Sequence, residues 1–99
     1  MVKLNWTPIS ISDIKAIFDF IAEDSTRYAQ ITVNKIYFRV QLLIDQPYLG
    51  RIVPEIDKKS LREIISGNYR IIYRIVNEYQ VDILRIYHSS RNLDNDSLK

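Results

Sequence analysis

The sequence predicts an α+β domain with elements in the order β-α-α-β-β-β, a helical hairpin packed on an antiparallel sheet. Three observations lead there: an alternating apolar segment at the N-terminus, two successive runs of helically spaced apolar residues, and three extended segments after residue 60.

Val2, Leu4 and Trp6 alternate with Lys3 and Asn5, the period of a half-buried strand. Thr7-Pro8 ends it and opens a helix, since proline is tolerated in a first helical turn. Ile14, Ile17, Phe18 and Ile21 then recur at helical spacing, with Asp13, Lys15, Asp19 and Glu23 on other faces, which predicts a helix over roughly 9–23. Asp24-Ser25 breaks the pattern, and Ser25 is suited to cap a second helix. Ala29, Val33, Ile36, Val40 and Leu43 draw one apolar seam along it, widened by Tyr37 and Ile44. Gln46-Pro47 stops that helix at about Asp45. So short a link between the helices predicts an antiparallel hairpin.

After "YLGRIVPE" and the polar "IDKKS", Leu61 to Ser66 reads as a strand, Gly67-Asn68 as a turn, and Tyr69 to Val76 and Gln80 to His88 as two more strands joined by Asn77-Glu78-Tyr79. The polar tail from about residue 94 is expected to fray. Residues 1–99 read as a single domain without repeats, linkers or low-complexity tracts.

At 99 residues the chain supports one core, and its 46% hydrophobic and 26% charged residues are ordinary for a globular protein. No cysteine and a single histidine argue against a disulfide framework and a dedicated zinc or copper site, so no metal and no cofactor are expected. No apolar run reaches the length of a membrane span, and no signal-peptide pattern opens the chain, so a cytoplasmic location without membrane contact is expected. The net charge of +2 is too mild to imply nucleic-acid binding by itself.

Charge distribution is more informative. Residues 1–50 carry five basic and five acidic side chains, residues 51–99 nine and seven, and the cations of the C-terminal strands are all arginines: Arg62, Arg70, Arg74, Arg85 and Arg91. Arginine offers a planar fork that suits phosphate or carboxylate. On the fourth extended segment Tyr69, Ile71, Tyr73 and Ile75 form the core face and leave Arg70, Ile72 and Arg74 opposite. On the last segment Val81, Ile83, Arg85 and Tyr87 share one side, Asp82, Leu84, Ile86 and His88 the other.

A two-residue hairpin turn would set Arg74 beside Val81 and Arg70 beside Arg85; a three-residue loop would set Arg74 beside Asp82 and bring Arg70 towards His88. The second avoids opposed like charges. Arg74 with Asp82, and Arg62 with Glu63 or Glu55, read as surface ion pairs. Arg70 and Arg91 have no acidic neighbour in sequence, so together they read as a seat for an anion or for a partner's carboxylates. Glu55 and Glu63 could serve as general bases, but sequence alone does not bring them to Arg70.

"GRIVPE", "LREIISGNYRIIYRI" and "DILRIYHSSRNL", preceded by Trp6-Thr7-Pro8 and the two-helix block, resemble the RelE/ParE superfamily of toxins from bacterial type II toxin–antitoxin modules, over residues 3–93. The resemblance implies a small cytoplasmic toxin neutralised by a cognate antitoxin encoded by an adjacent gene, the pair meeting promoter DNA only through the antitoxin. RelE-like members cleave mRNA on the ribosome; ParE-like members poison DNA gyrase.

By resemblance to the nuclease branch, Arg70 and Arg91 match two catalytic arginines, with His88 or Glu63 available for proton transfer. Two departures point away from it. Leu61 and Glu63 stand where that branch carries a basic alternating pair, and the tail Leu93-Asp94-Asn95-Asp96-Ser97-Leu98-Lys99 lacks its C-terminal tyrosine. The pattern is closer to ParE-like members. It therefore implies a gyrase inhibitor acting by protein–protein contact. A ribosome-dependent mRNA endoribonuclease is the alternative, and an inactive toxin that only binds antitoxin a further one. An amphipathic antitoxin segment is expected over the hairpin grooves and the sheet. Arg70, Arg74, Arg85, Tyr87, His88 and Arg91 are the expected contact residues for antitoxin or target.

Overall fold

The computed structural model describes residues 1–89. Strand β1 (Lys3–Trp6) is followed by helices α1 (Pro8–Ala22) and α2 (Thr26–Gln41), a 3₁₀ turn (Leu42–Ile44), and strands β2 (Arg51–Ile52), β3 (Leu61–Ser66), β4 (Tyr69–Asn77) and β5 (Gln80–His88). The expected order is present, with a two-residue strand added in "GRIV". The sheet order is β1-β5-β4-β3-β2, antiparallel throughout except that β1 joins β5 in parallel.

Both helices begin at capping side chains. The Thr7 hydroxyl accepts from the Ser10 N–H (3.1 Å), with Pro8 in the first turn, and the Ser25 hydroxyl accepts from Tyr28 N–H (3.0 Å). Thr7 also ties the start of α1 to β5, donating its hydroxyl to the Ile83 carbonyl at 2.9 Å. Because β1 covers β5 only as far as Ile83, the edge beyond it is open. Asp13 of α1 closes it by accepting from Ile86 N–H at 2.9 Å and from Arg85 Nε at 2.8 Å.

The main core lies between the helices and the first face of the sheet. Ile36, Val40 and Leu43 meet Ile64, Ile71, Tyr73, Val81 and Ile83 there, all buried. The core face expected for β4 is therefore the one that packs. β5 departs from strict alternation, because a bulge at Leu84 shifts the pairing from Tyr73↔Ile83 to Ile72↔Arg85. Val81, Ile83 and Ile86 consequently share the helix side, while Leu84 and Tyr87 join Val53, Leu61 and Ile72 in a second cluster on the opposite face.

The hairpin register places Arg74 opposite Asp82, as the charge argument favours, but through a tight Glu78-Tyr79 turn and a second irregularity at Val76 rather than a three-residue loop. No ion pair follows, since the Asp82 carboxylate accepts from Asn5 and Gln80 instead. Gly67 has a φ of +57° at the first turn position between β3 and β4, the pattern glycine supplies in a type II′ turn.

Gly50 is required for a different reason. A Cβ there would lie 2.4 Å from the Glu63 carbonyl oxygen and 2.8 Å from the Tyr73 hydroxyl. That buried hydroxyl accepts from Gly50 N–H (2.9 Å) and donates to the Pro47 carbonyl (2.7 Å), pulling the 47–50 segment under the sheet. Gly50→Ala should cost about 1–3 kcal/mol in chemical denaturation, because backbone rather than a flexible side chain must move.

Tyr73→Phe leaves two backbone groups short of a partner and should cost about 1–3 kcal/mol near neutral pH. Burial raises the Tyr73 pKa above the ordinary 10.0, opposed by the Gly50 N–H. The unfolded chain then releases that proton first, so this contribution is whole below about pH 10 and is lost as pH rises further. Stability of the Phe variant should fall less steeply than wild type above that pH.

Candidate functional site

On the second face of the sheet, Arg70 of β4 is opposite Tyr87 of β5 and Ile65 of β3. Glu63, two residues back on β3, is its diagonal neighbour on the same face. A turn in which Ile56 and Asp57 N–H both donate to the Val53 carbonyl carries Glu55 over this face. Val53 and Ile56 anchor the turn in the second apolar cluster, and Asp57 closes it with a φ of 57°.

These placements assemble a buried ion network. Glu63 is 1% exposed and Arg70 6%. Arg70 Nε donates to Glu63 Oε2 at 2.7 Å and Nη2 to Glu63 Oε1 at 3.0 Å. Its outer side grips Glu55, through Nη1 to Oε2 at 2.7 Å and Nη2 to Oε1 at 2.9 Å. Arg51 completes the set with Nε on Glu63 Oε1 at 3.1 Å. Among the described residues two carboxylates thus face two guanidiniums, and Arg70 holds both carboxylates in the paired, planar geometry that makes such bonds strong. The hydrogen bonds Arg70 donates to Glu55, and then to Glu63, raise its pKa against the opposing effect of burial, so it stays charged.

Arg70, which has no acidic neighbour in sequence and was expected to seat an outside anion or a partner's carboxylates, instead meets carboxylates of its own chain. Both partners come from elsewhere in the chain, and the guanidinium is enclosed between them. Arg62 is likewise not paired with Glu63 or Glu55. It donates to the Lys59 and Gly50 carbonyls and lies 4.8 Å from the Tyr48 ring.

Of the other expected contact residues, Arg74, Arg85 and Tyr87 share this face. Arg74 is exposed near its far end. Arg85 is held by Asp13, which raises its pKa, and its guanidinium sits 4.8 Å over the Tyr87 ring, with Tyr87 itself buried. His88 is exposed on the other, helix-side face, opposite Tyr69, whose ring it meets edge-on at 5.9 Å, so the register does not bring it to Arg70 as expected. Arg91 lies outside the described residues. Among those residues no cluster has the makings of a metal site, and no helix is long and apolar enough to cross a membrane.

The family model described as the ParE toxin of type II toxin–antitoxin system, parDE, matches residues 4–93. The chain belongs to the ParE toxin family. A structure described as the chromosomal ParDE toxin–antitoxin system from P. aeruginosa superposes at a TM-score of 0.73 with 23% identity, covering 89% of this chain and 96% of that one. The heterotetrameric YoeB–YefM toxin–antitoxin complex from Staphylococcus aureus superposes at 0.56 with 14% identity, covering 89% and 98%. At these identities the likeness is one of fold. No curated protein sequence matches the chain.

Within this ParE toxin, sequence reasoning missed Arg51 altogether and left Glu55 without a place. Glu63 was within reach. The two-residue Gly67-Asn68 turn fixes Ser66 opposite Tyr69, and counting back sets Glu63 diagonal to Arg70. Nothing comparable encodes the reach of the 53–57 turn.

The network makes a sharp prediction about stability. Arg70→Met leaves Glu63 buried with only Arg51 and should cost about 3–5 kcal/mol, whereas Arg70→Met with Glu63→Leu should recover most of that loss. Denaturation of wild type and both variants checks it; a double variant no more stable than the single one would contradict the pairing.

Proposed function

We propose that this ParE toxin inhibits DNA gyrase by protein–protein contact and is held inactive by a cognate antitoxin. The observation that carries the reading is the closed Glu63–Arg70–Glu55 network. A ribonuclease acting through a 2′-hydroxyl needs cations free to meet charge developing on phosphate. Here the arginine that resembles such a cation is enclosed by two carboxylates, 2.7 Å away on either side. Glu63, buried and holding two guanidiniums, is poorly placed to take a proton from a substrate.

A protein target asks for less. Exposed Arg74, and the exposed outer side of Arg51, can meet carboxylates or carbonyls around the rim while Glu63 and Arg70 keep each other. Arg85 and Tyr87 give that rim a rigid seam, fixed through Asp13. The mild net charge also fits a protein surface better than a phosphate backbone, whose binding rewards many cations.

The test uses the chain expressed without antitoxin. Gyrase supercoiling and cell-free translation are followed side by side at matched protein concentration. Supercoiling should fail first while mRNA stays intact. Cleaved mRNA with normal supercoiling would establish the endoribonuclease reading instead, and loss of neither activity would mark a chain that only binds antitoxin.

A further inference from the structure

The β3–β4 turn and the first half of α2 border a cleft of about 270 Å³ on the helix side of the sheet, on the opposite face from the Arg70 network. Ser66 lines it. As the last residue of β3 it pairs with Tyr69, whose ring packs on the main core, and it is only 8% exposed. A serine this buried ordinarily commits its hydroxyl to a neighbouring group. Here the hydroxyl has no hydrogen-bond partner among the described residues, yet it is not sealed in the interior. It is left for whatever enters the cleft.

Thr32 and Lys35 of α2 and Asn68 of the turn line the same cleft, and none of their side chains is engaged by another described residue. Two hydroxyls, an amide and an ammonium thus converge as uncommitted donors. Among the described residues no carboxylate lines the cleft to balance them. That combination selects an anion, because hydrogen bonds to a charged acceptor are the strong ones. One lysine with no arginine beside it suits a monoanionic carboxylate better than a phosphate, which rewards a planar guanidinium fork and more than one cation. The remaining walls are apolar and aromatic, with Ile21 and Ile31 beside the rings of Tyr28 and Tyr69. A flat apolar ligand gains stacking as well as burial against such rings.

We propose that the cleft binds a small aromatic carboxylate. Lys35 and the hydroxyls of Thr32 and Ser66 hold its carboxylate, and Tyr28 and Tyr69 meet its ring. The site is independent of what the toxin inhibits and of how it is neutralised.

Titration of the toxin with benzoate, followed by NMR, tests this, with benzamide as the neutral counterpart of the same shape. Benzoate should shift the Thr32, Ser66, Gly67 and Asn68 amide signals saturably, and benzamide should bind about tenfold more weakly, the worth of one charge-assisted bond. Lys35→Gln should weaken benzoate binding about tenfold for the same reason. Ser66→Ala should weaken it severalfold without lowering thermal stability, because the lost hydroxyl holds nothing in the protein. Benzoate that moves none of these signals overturns the site. Equal binding of benzoate and benzamide, or of benzoate by wild type and Lys35→Gln, overturns the choice of an anion. Displacement of benzoate by inorganic phosphate at equal concentration overturns the choice of a carboxylate. Lys35 is exposed, so its variant keeps the fold, and should Ser66→Ala not fold, the comparison of the two probes on wild type still decides.

Discussion

A carboxylate sealed from water must be met by cations, and the second face of this sheet is built around Glu63. Arg70 reaches it across the β3–β4 hairpin. Arg51 reaches it because β2 pairs directly with Glu63 on β3, and β2 approaches so closely because Gly50 has no side chain. Once Arg70 is committed to Glu63, its outward nitrogens need a second anion, which the 53–57 turn supplies as Glu55. Among the described residues the result is a compact group of two carboxylates and two guanidiniums, beside the apolar cluster of Leu61, Ile72, Leu84 and Tyr87. Each of the features that sets it in place, a tight turn, a glycine and a hydrophobically anchored loop, lies in one of the motifs that carry the family resemblance.

That arrangement separates what holds the sheet from what can meet a partner. The centre of the second face is given to internal ion pairs, which are costly to break because each removed partner strands a buried charge. Its rim remains accessible and offers exposed cations, Arg74 and the outer side of Arg51. A molecule organised this way is suited to being grasped by protein, and the ParE family assignment agrees with a toxin whose partners include an antitoxin.

Local patterns in the sequence were legible where short-range physics decides. Thr7-Pro8 and Ser25 mark both helix starts, and the alternation of Tyr69, Ile71, Tyr73 and Ile75 identifies the packed face. The last strand was less readable, because the bulge at Leu84 exchanges the sides of Arg85, Ile86 and Tyr87 without any glycine or proline to announce it. The site was misread at Arg70 for a plainer reason. Its partners are 7 and 15 residues away along the chain, so charge neighbours in sequence say nothing about them. Arg51 escaped notice because a two-residue strand leaves almost no periodic signal.

Whether Arg70 belongs to the protein interior or to a ligand decides between the two readings of this toxin. The most direct measurement is the NMR signal of the Arg70 Nε–Hε group in the isolated toxin, followed as single-stranded RNA is added. Enclosure by Glu63 and Glu55 predicts a resolved signal, slow to exchange with water at neutral pH and unmoved by RNA. A signal lost to rapid exchange, or one that shifts saturably with RNA, would contradict the closed network and return Arg70 to phosphate chemistry.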